Sequence, residues 1–270
     1  AKTVLVRPRS GRARRYAFDD TGAKDSSKNL RVLWTRAALA GRGVIDDDVA
    51  YECLPSASRW LVSPENAKRL PDGLVEKLEW IGSRTTFLDA SVDEFLAKQT
   101  ETPQIVVVGA GYDTRAARYA GYADFFEIDR PDAVEAKRRV LETYRARSAE
   151  AAPVTHLALD LNELAGPGPG LTERLAAVGF DASKPSLFLF EAVLFYLAPP
   201  AVAALLDAAL GAGDVALTDS LTKVGVTPRG PAPPPNRAAC AAYFEAKGRA
   251  LQRHDVRWGG ALHYAEVGAR

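Results

Sequence analysis

A glycine-rich turn follows a run of β-branched residues near the middle of the chain. Residues 105–108 lead directly into Gly109, Ala110 and Gly111, and Asp113 follows in a position to cap a helix. Glycines let the backbone turn sharply and leave space for a ligand against the chain. In a nucleotide-binding α/β sheet, the first strand-to-helix turn is where the ligand crosses. The pattern therefore indicates a ligand-binding turn, and a plain tight turn is the alternative.

The same turn argues against a bound dinucleotide. The dinucleotide fingerprint G-x-G-x-x-G needs a third small residue where this chain has Thr114. A pyrophosphate also needs an open helix N-terminus, and Asp113 would place a carboxylate there. A carboxylate repels phosphate but tolerates a ligand without one. S-adenosylmethionine is such a ligand, since it has an adenosine and a cationic sulfonium.

Acidic residues end the next two predicted strands. Glu127 and Asp129 follow the glycine turn by about 16 to 18 residues, a spacing at which an acid commonly bonds ribose hydroxyls. A carboxylate suits that task because it accepts from two neighbouring hydroxyls at once. Asp160 ends the following strand and would accept from an adenine amino group, while Leu161 would offer its backbone. For Glu127 and Asp129 the alternative is a surface acid after a strand.

A carboxylate also lies inside the strongly apolar run at residues 186–197. Burying Glu191 there is costly unless a cation pairs with it. We expect this cation to be the amino group or sulfonium of a bound cofactor, and an arginine or lysine of the protein is the alternative. Tyr196 is a candidate wall of the binding pocket, although a tyrosine in such a run more often belongs to the core.

Alternating strands and helices must position these residues. The sequence predicts five strands, at 105–108, 125–128, 154–159, 187–190 and 215–218. It predicts helices between them, at about 114–121, 132–147, 171–179 and 200–210. This order favours a parallel sheet, and the apolar strands indicate that helices cover both faces. The tail, roughly 251–258 and 262–267, is typical of an antiparallel hairpin at the sheet edge.

The N-terminal third has a different texture. Residues 1–30 are polar and predict a loop, and a helical pattern follows to about residue 96. Pro64 and Pro71 are expected to break this region into short helices.

We therefore predict an α/β protein with two regions. Residues 1–100 form a helical N-terminal cap that contains the substrate region. Residues 101–270 form a Rossmann-like domain, doubly wound and mostly parallel, with the antiparallel hairpin at its C-terminal end.

Composition narrows the function further. The net charge of the 270 residues is +1, so no global field attracts the chain to nucleic acid or to anionic lipid. The sequence has no apolar run of about 18 residues, so we predict no transmembrane helix and a cytoplasmic protein. The first fifteen residues are rich in arginine and contain no acid. We interpret them as a solvated tail, and the remnant of an organelle-targeting peptide is the alternative.

Cysteine and histidine residues show no metal-binding spacing. Cys53 and Cys240 are far apart and belong to no C-x-x-C motif, so we interpret them as free thiols. His156, His254 and His263 form no zinc-ligand pattern. The sequence therefore predicts no metal.

Four motifs taken together, GAGYDTR, EIDRP, DL and EAVLFYL, resemble the leucine carboxyl methyltransferase family of S-adenosylmethionine-dependent enzymes. The resemblance covers about residues 80–220. It implies S-adenosyl-L-methionine as the cofactor, S-adenosyl-L-homocysteine as its product, and contacts from the motif residues already named. The segment IGSRTTFLDASVDEFL is also similar to the family, which implies that Arg84 holds the cofactor's carboxylate from the cap. The alternative for Arg84 is a surface salt bridge with Asp89. Arg36 is a looser match to a second basic contact.

One residue departs from the family's pattern. Ala192 stands where the family usually has glycine. Either its methyl group narrows the pocket, or the backbone there already has a negative φ. The departure puts the substrate in doubt rather than the cofactor.

The family resemblance implies methyl transfer to oxygen, often to a carboxylate. A carboxylate is anionic at neutral pH, so it needs no general base, and we predict no catalytic base. The expected acceptor is a carboxylate on a small molecule or a protein C-terminus, and neither a membrane nor a nucleic acid is expected as partner. Two alternatives remain: a non-catalytic S-adenosylmethionine-binding regulatory protein, and an NAD(P)-dependent oxidoreductase, which Thr114 and the lack of a Tyr-x-x-x-Lys pair disfavour.

Overall fold

A computed structural model describes residues 22–145, 154–226, 237–257 and 262–269. Its strands are β1 (Gln104–Val108), β2 (Asp124–Asp129), β3 (Thr155–Ala158), β4 (Ser186–Glu191), β5 (Asp214–Asp219), β6 (Ala250–Arg257) and β7 (Leu262–Gly268). All seven belong to one sheet in the order β3-β2-β1-β4-β5-β7-β6.

The first five strands pair in parallel, and the last two form an antiparallel hairpin. Strand β7 pairs antiparallel with β5, so it lies inside the sheet and β6 forms the edge. The strand order changes direction at β1 and β4, and ligands of open α/β sheets bind beside the carboxyl ends of strands at such a point. The structure confirms the predicted Rossmann-like sheet and its C-terminal hairpin.

Ten helices accompany the sheet in the described residues. They are α1 (Gly22–Gly41), α2 (Asp48–Cys53), α3 (Ser56–Arg59), α4 (Pro64–Ala67), α5 (Asp72–Leu96), α6 (Arg115–Arg118), α7 (Pro131–Arg145), α8 (Leu171–Ala176), α9 (Pro199–Ala212) and α10 (Arg237–Glu245). Short 3-10 turns lie at Trp60–Val62, Leu161–Ala165, Leu194–Tyr196 and Thr222–Val224.

Two expectations for the N-terminal region were wrong. Helix α1 begins at Gly22, inside the segment expected to be a loop, and residues 1–21 lie outside the described residues. Pro64 and Pro71 do separate helices, since Pro64 begins α4 and Pro71 is the N-cap of α5, but α5 has 25 residues and is not short as expected. Proline is tolerated at a helix start, where its missing N–H has no intrahelical acceptor.

Successive residues of a strand point to opposite faces of the sheet. Because all residues of β1 are buried, helices must cover both faces. In β1, Val106 and Val108 belong to one buried cluster, together with residues of α8, α9 and α10. Ile105 and Val107 belong to a second cluster, with Leu88 and other residues of α5. Full burial of an aliphatic side chain stabilises the fold by about 1.5–3 kcal/mol.

The cap has a core of its own that also includes α7. Leu33 and Ala37 of α1 and Ala50 of α2 pack in one buried cluster with Leu141 and Tyr144 of α7. Helix α5 belongs to the cap, where it contacts α1, and it also packs against the sheet. The side-chain packing thus continues from the cap into the rest of the fold. The predicted domain boundary at residue 100 stays a prediction. Among the helices that the structure describes, none combines the length and the apolar character needed to span a bilayer.

Candidate functional site

The glycine turn after β1 has the backbone that only glycine adopts readily. Gly109 and Gly111 have φ values of +68° and +47°. A Cβ on Gly109 would lie 2.4 Å from Cγ2 of Val193, and one on Gly111 would lie 3.4 Å from Asn29 of α1. Between them, Ala110 is buried. The turn after β4 and the cap helix α1 thus both approach this turn closely.

Asp113 directly precedes the N-cap residue of α6 and is not itself the N-cap. The N-cap of α6 is Thr114, and the carboxylate of Asp113 accepts a hydrogen bond from the Arg115 amide at 2.7 Å. The same carboxylate contacts the Arg115 guanidinium. Burial alone would raise the pKa of Asp113, but Arg115 and Arg36 hold it well below its usual range. A permanent negative charge therefore stands at the start of α6, as expected.

The two acids of β2 have different surroundings. Asp129 lies at the carboxyl end of the strand, where its carboxylate accepts from the amides of Gly111 and Arg130 at 2.7 and 2.8 Å. Glu127 lies two residues deeper, is 1% exposed, and has Lys137 Nζ 2.6 Å from Oε2. Burial raises the pKa of both carboxyls. Ribose binding stays a prediction for both, and Asp129 is the one beside the glycine turn.

The third predicted acid lies next to Asp129. The Leu159 amide donates to the Asp129 carbonyl at 2.8 Å, which brings the end of β3 to the end of β2. Asp160 caps the following 3-10 turn through the Asn162 amide at 2.9 Å, and Leu161 is buried at the start of that turn. Asp160 and Leu161 follow the carboxyl end of β3, as predicted. Their contacts with adenine stay a prediction.

Glu191 at the end of β4 is paired with protein cations. Arg115 Nη1 donates to Glu191 Oε2 at 3.0 Å, and Arg84 Nε lies 3.6 Å from Oε1. Arginines of the protein, the alternative partners for this carboxylate, are thus present in the structure. Its predicted contact with the cofactor remains a prediction.

Arg84 is not a surface residue. It is 4% exposed, and its guanidinium lies 4.4 Å from the centre of the Trp80 ring. Within the described residues its Nε makes no hydrogen bond. The suggested salt bridge with Asp89 is wrong, since that carboxylate pairs with Arg115 and Arg118.

Arg115 is the centre of the site's charges, and the sequence interpretation gave it no role. It is fully buried, its Nε donates to Asp89 at 2.7 Å, and its Nη2 donates to the Thr85 carbonyl at 3.3 Å. It therefore links α5 of the cap to the glycine turn and to Glu191. The sequence did contain a signal for this role, because Arg115 is the last residue of the motif GAGYDTR.

Arg36, the looser family match, joins the same charge cluster from α1. Its Nε donates to Asp47 at 2.6 Å and its Nη2 donates to Thr114 at 3.2 Å. Its Nη1 lies 3.7 Å from the Asp113 carboxylate. The cap thus reaches the start of α6 through Arg36 of α1 and the end of β4 through Arg84 of α5, and both arginines are buried.

The turn after β4 is strained at Ala192. Its φ is +56°, the left-handed region that favours glycine, so the second of the two alternatives, a negative φ, is wrong. The Asp219 carboxylate holds the next two residues, accepting from the amides of Val193 and Leu194 at 2.5 and 2.8 Å. Burial raises the pKa of Asp219 to about 6. Tyr196 follows and is half exposed.

Both cysteines are free thiols, as predicted, and both are buried. They lie in different clusters, Cys53 in the cap and Cys240 in α10. The fold brings Cys240 together with His254 and His263, although their spacing in the sequence shows no such grouping.

The donor set fits a zwitterionic ligand without phosphate. Carboxylates stand at the ends of β2 and β4, and the buried guanidinium of Arg84, whose Nε makes no hydrogen bond within the described residues, lies beside Glu191. Asp113 keeps the start of α6 negative, which disfavours a pyrophosphate there. S-adenosylmethionine has hydroxyls, an ammonium and a carboxylate, so these residues match its polar groups.

Comparisons with known proteins agree with this chemistry. The family model described as leucine carboxyl methyltransferase matches residues 27–210. A protein of Mycobacterium avium (strain 104) with the name "Putative S-adenosyl-L-methionine-dependent methyltransferase" is 32% identical over 207 residues, which are 70% of this chain and 62% of that protein. The tRNA wybutosine-synthesizing protein 4 of Homo sapiens is 30% identical over 223 residues, 74% of this chain and 29% of that protein. The chain thus spans less than two thirds of these relatives.

Among solved structures, the chain can be superposed on magnesium protoporphyrin IX methyltransferase from Synechocystis PCC 6803 with bound SAM. It superposes with a TM-score of 0.46 at 14% identity, covering 72% of this chain and 83% of that chain. The fold assignment rests on the order and direction of the strands.

Proposed function

This chain belongs to the leucine carboxyl methyltransferase family of S-adenosylmethionine-dependent enzymes, and we propose that it methylates a carboxylate oxygen of a small molecule or a protein C-terminus. The observation that carries the proposal is the meeting of three features at one sheet edge. They are the glycine turn at Gly111, the Asp129 carboxylate that accepts from its amide, and, at the end of β4, Glu191 with the buried Arg84 3.6 Å away.

Each polar group of the cofactor has a matching residue in this proposal. Asp129 would accept from the ribose hydroxyls, Asp160 from the adenine amino group, and Glu191 from the ammonium group. Arg84 would hold the carboxylate. When bound, the cofactor supplies an electrophilic methyl group on its sulfonium. Helix α1 lies against the glycine turn through Asn29, so the cap helps to exclude water from this edge.

The surroundings of the turn after β4 favour an acceptor that is already anionic. The described contacts of His156 are with Glu127, and those of His254 are with His263, so neither histidine is a base beside Glu191. Asp219 lies beside this turn, and its carboxylate accepts three backbone amides, those of Val193, Leu194 and Ser220, so we assign it the role of holding the turn. A carboxylate acceptor has a pKa of about 4 and needs no deprotonation at neutral pH. The protein would then act by positioning and desolvation.

Base lability of the product tests the acceptor's chemistry. The protein is incubated with cofactor labelled in its methyl group and a panel of small carboxylic acids and peptides, each peptide with a free or an amidated C-terminus. We expect label on free acids only, released as volatile methanol after alkaline treatment, because methyl esters hydrolyse in base. Base-stable label would contradict the proposed acceptor. Binding of S-adenosylhomocysteine without turnover on any acid would favour the non-catalytic alternative.

A pair of arginine variants ties the activity to this site. Arg84→Ala should lower the apparent cofactor affinity at least about tenfold, since it removes a buried charge-assisted contact. Arg139→Ala removes a surface arginine of α7 that pairs with Glu135, and should leave the affinity unchanged. Equal affinities for both variants would contradict the role of Arg84.

A further inference from the structure

A second group of chemistry-bearing side chains lies near the C-terminal hairpin. The thiol of Cys240 and one ring nitrogen each of His254 and His263 lie within 4.8 Å of one another. His254 Nε2 and His263 Nδ1 are 3.0 Å apart. Cys240 and His263 are almost completely buried, and His254 is half-buried. None of the three belongs to the cofactor site proposed above.

Sheet register explains why the two histidines meet. In the β6–β7 hairpin, His263 pairs with Val256 and His254 pairs with Ala265. Paired residues of an antiparallel ladder share a face, so the two histidines are diagonal neighbours on one face. Helix α10 covers that face and contributes Cys240 to the same buried cluster as Ala265. Two strands and a helix thus converge on one point.

We infer that Cys240, His254 and His263 bind one zinc ion. Thiolate and imidazole are the ligands that zinc prefers in proteins, at Zn–S and Zn–N distances of about 2.3 and 2.0–2.1 Å. A tetrahedral ion with these distances separates its ligand atoms by about 3.3 to 3.6 Å. The 3.0 Å between the two ring nitrogens is close to that value, and Cys240 needs to move by little more than about 1 Å.

The ring of His263 supports this assignment. Its Nδ1 faces His254, and its Nε2 is buried without a hydrogen bond of normal geometry to the described residues. A metal-bound histidine commonly directs its second nitrogen at a backbone carbonyl, and the main chain of Val226 lies beside this ring. Arg237 and Asp255 place opposite charges near His254.

Zinc binding would fasten α10 to the hairpin. The metal replaces the thiol proton of Cys240, which passes to solvent, and a Zn–S bond forms. His263 also pairs in register with Asp219, which holds the turn after β4. The site therefore braces the strand end next to the proposed cofactor site, with a fourth coordination position left for water.

Cobalt and zinc titrations test the inference. Tag-free protein is stripped with a chelator and titrated with Co²⁺, whose thiolate complexes absorb in the near ultraviolet by sulfur-to-metal charge transfer. We expect one Co²⁺ per chain with this absorption, bleached by one equivalent of Zn²⁺. The Zn²⁺ dissociation constant should be on the order of 1 µM or tighter, measured by competition with a chromophoric chelator.

Three variants separate the site from chance binding. Cys240→Ser should abolish the charge-transfer absorption, and His254→Ala should weaken Zn²⁺ binding at least about 100-fold. Cys53→Ser is the matched control, because Cys53 is the other buried thiol, and it should change neither. His254 is half-buried, so its alanine variant decides the case if Cys240→Ser fails to fold. No Co²⁺ uptake by the wild type, or unchanged binding in His254→Ala, would overturn the inference.

Discussion

Replacing Arg115 with methionine should remove much of the protein's stability. The side chain is fully buried, with Asp89 at 2.7 Å and Glu191 at 3.0 Å, and it also contacts Asp113. At an effective dielectric constant of about 20, opposite charges 3 Å apart attract by about 5 kcal/mol. Desolvation of the arginine offsets much of that gain. Removing the cation leaves Asp89, Asp113 and Glu191 with one other arginine each, at 2.9, 3.7 and 3.6 Å. Breaking a buried ion pair destabilises by about 3–5 kcal/mol.

Urea denaturation at neutral pH, followed by far-ultraviolet circular dichroism, measures this loss. A loss of 3–5 kcal/mol is a large part of the roughly 5–15 kcal/mol that stabilises a typical domain. Arg139→Met is the matched control, because Arg139 forms an exposed pair with Glu135 on α7 and should lose less than about 0.5 kcal/mol. A loss below about 1 kcal/mol for Arg115→Met, or a loss equal to the control's, would refute the reasoning.

Three further changes test the geometry of the strand ends. Gly109→Ala should lower the free energy of unfolding, measured in urea, by about 3 kcal/mol, because the new Cβ would lie 2.4 Å from Val193. Gly73→Ala is the control: its Cβ meets nothing within 4 Å, so it should stabilise α5 by up to about 1 kcal/mol. Ala192→Gly should raise the melting temperature, because it relieves a left-handed alanine that costs about 1–2 kcal/mol; a lower melting temperature would contradict the assigned strain. The pKa of Asp219 is raised to about 6, so its protonated form is favoured in the fold and stability should fall as pH rises from about 4 to 6, by up to about 3 kcal/mol. Asp219→Asn should flatten that slope, and an unchanged slope would contradict the assignment.

Much of the sheet could be predicted because its strands are short apolar runs with acids at their ends. Runs such as residues 105–108 are buried on both faces, so they show clearly in a sequence. Helix bounds were less accurate. The helix expected at 114–121 is only Arg115–Arg118, because the chain turns at Gly121, which has a φ of +82°.

Side-chain partners could not be predicted in the same way. A motif shows that Glu191 needs a cation, but the fold decides that this cation is Arg115, which lies far away in sequence. The grouping of Cys240, His254 and His263 depends on the register of an antiparallel hairpin and on where α10 packs. Spacing along the chain carries none of this information.

Calorimetric titration with S-adenosylhomocysteine, with NADPH in a parallel cell, tests most directly whether the edge at β1, β2 and β4 binds this cofactor. The wild type should bind S-adenosylhomocysteine with a Kd on the order of micromolar and should not bind NADPH. Asp129→Ala and Glu191→Ala should each bind at least about tenfold more weakly, a loss of about 1.4 kcal/mol. Tight NADPH binding without S-adenosylhomocysteine binding, or wild-type affinity in both variants, would contradict the account.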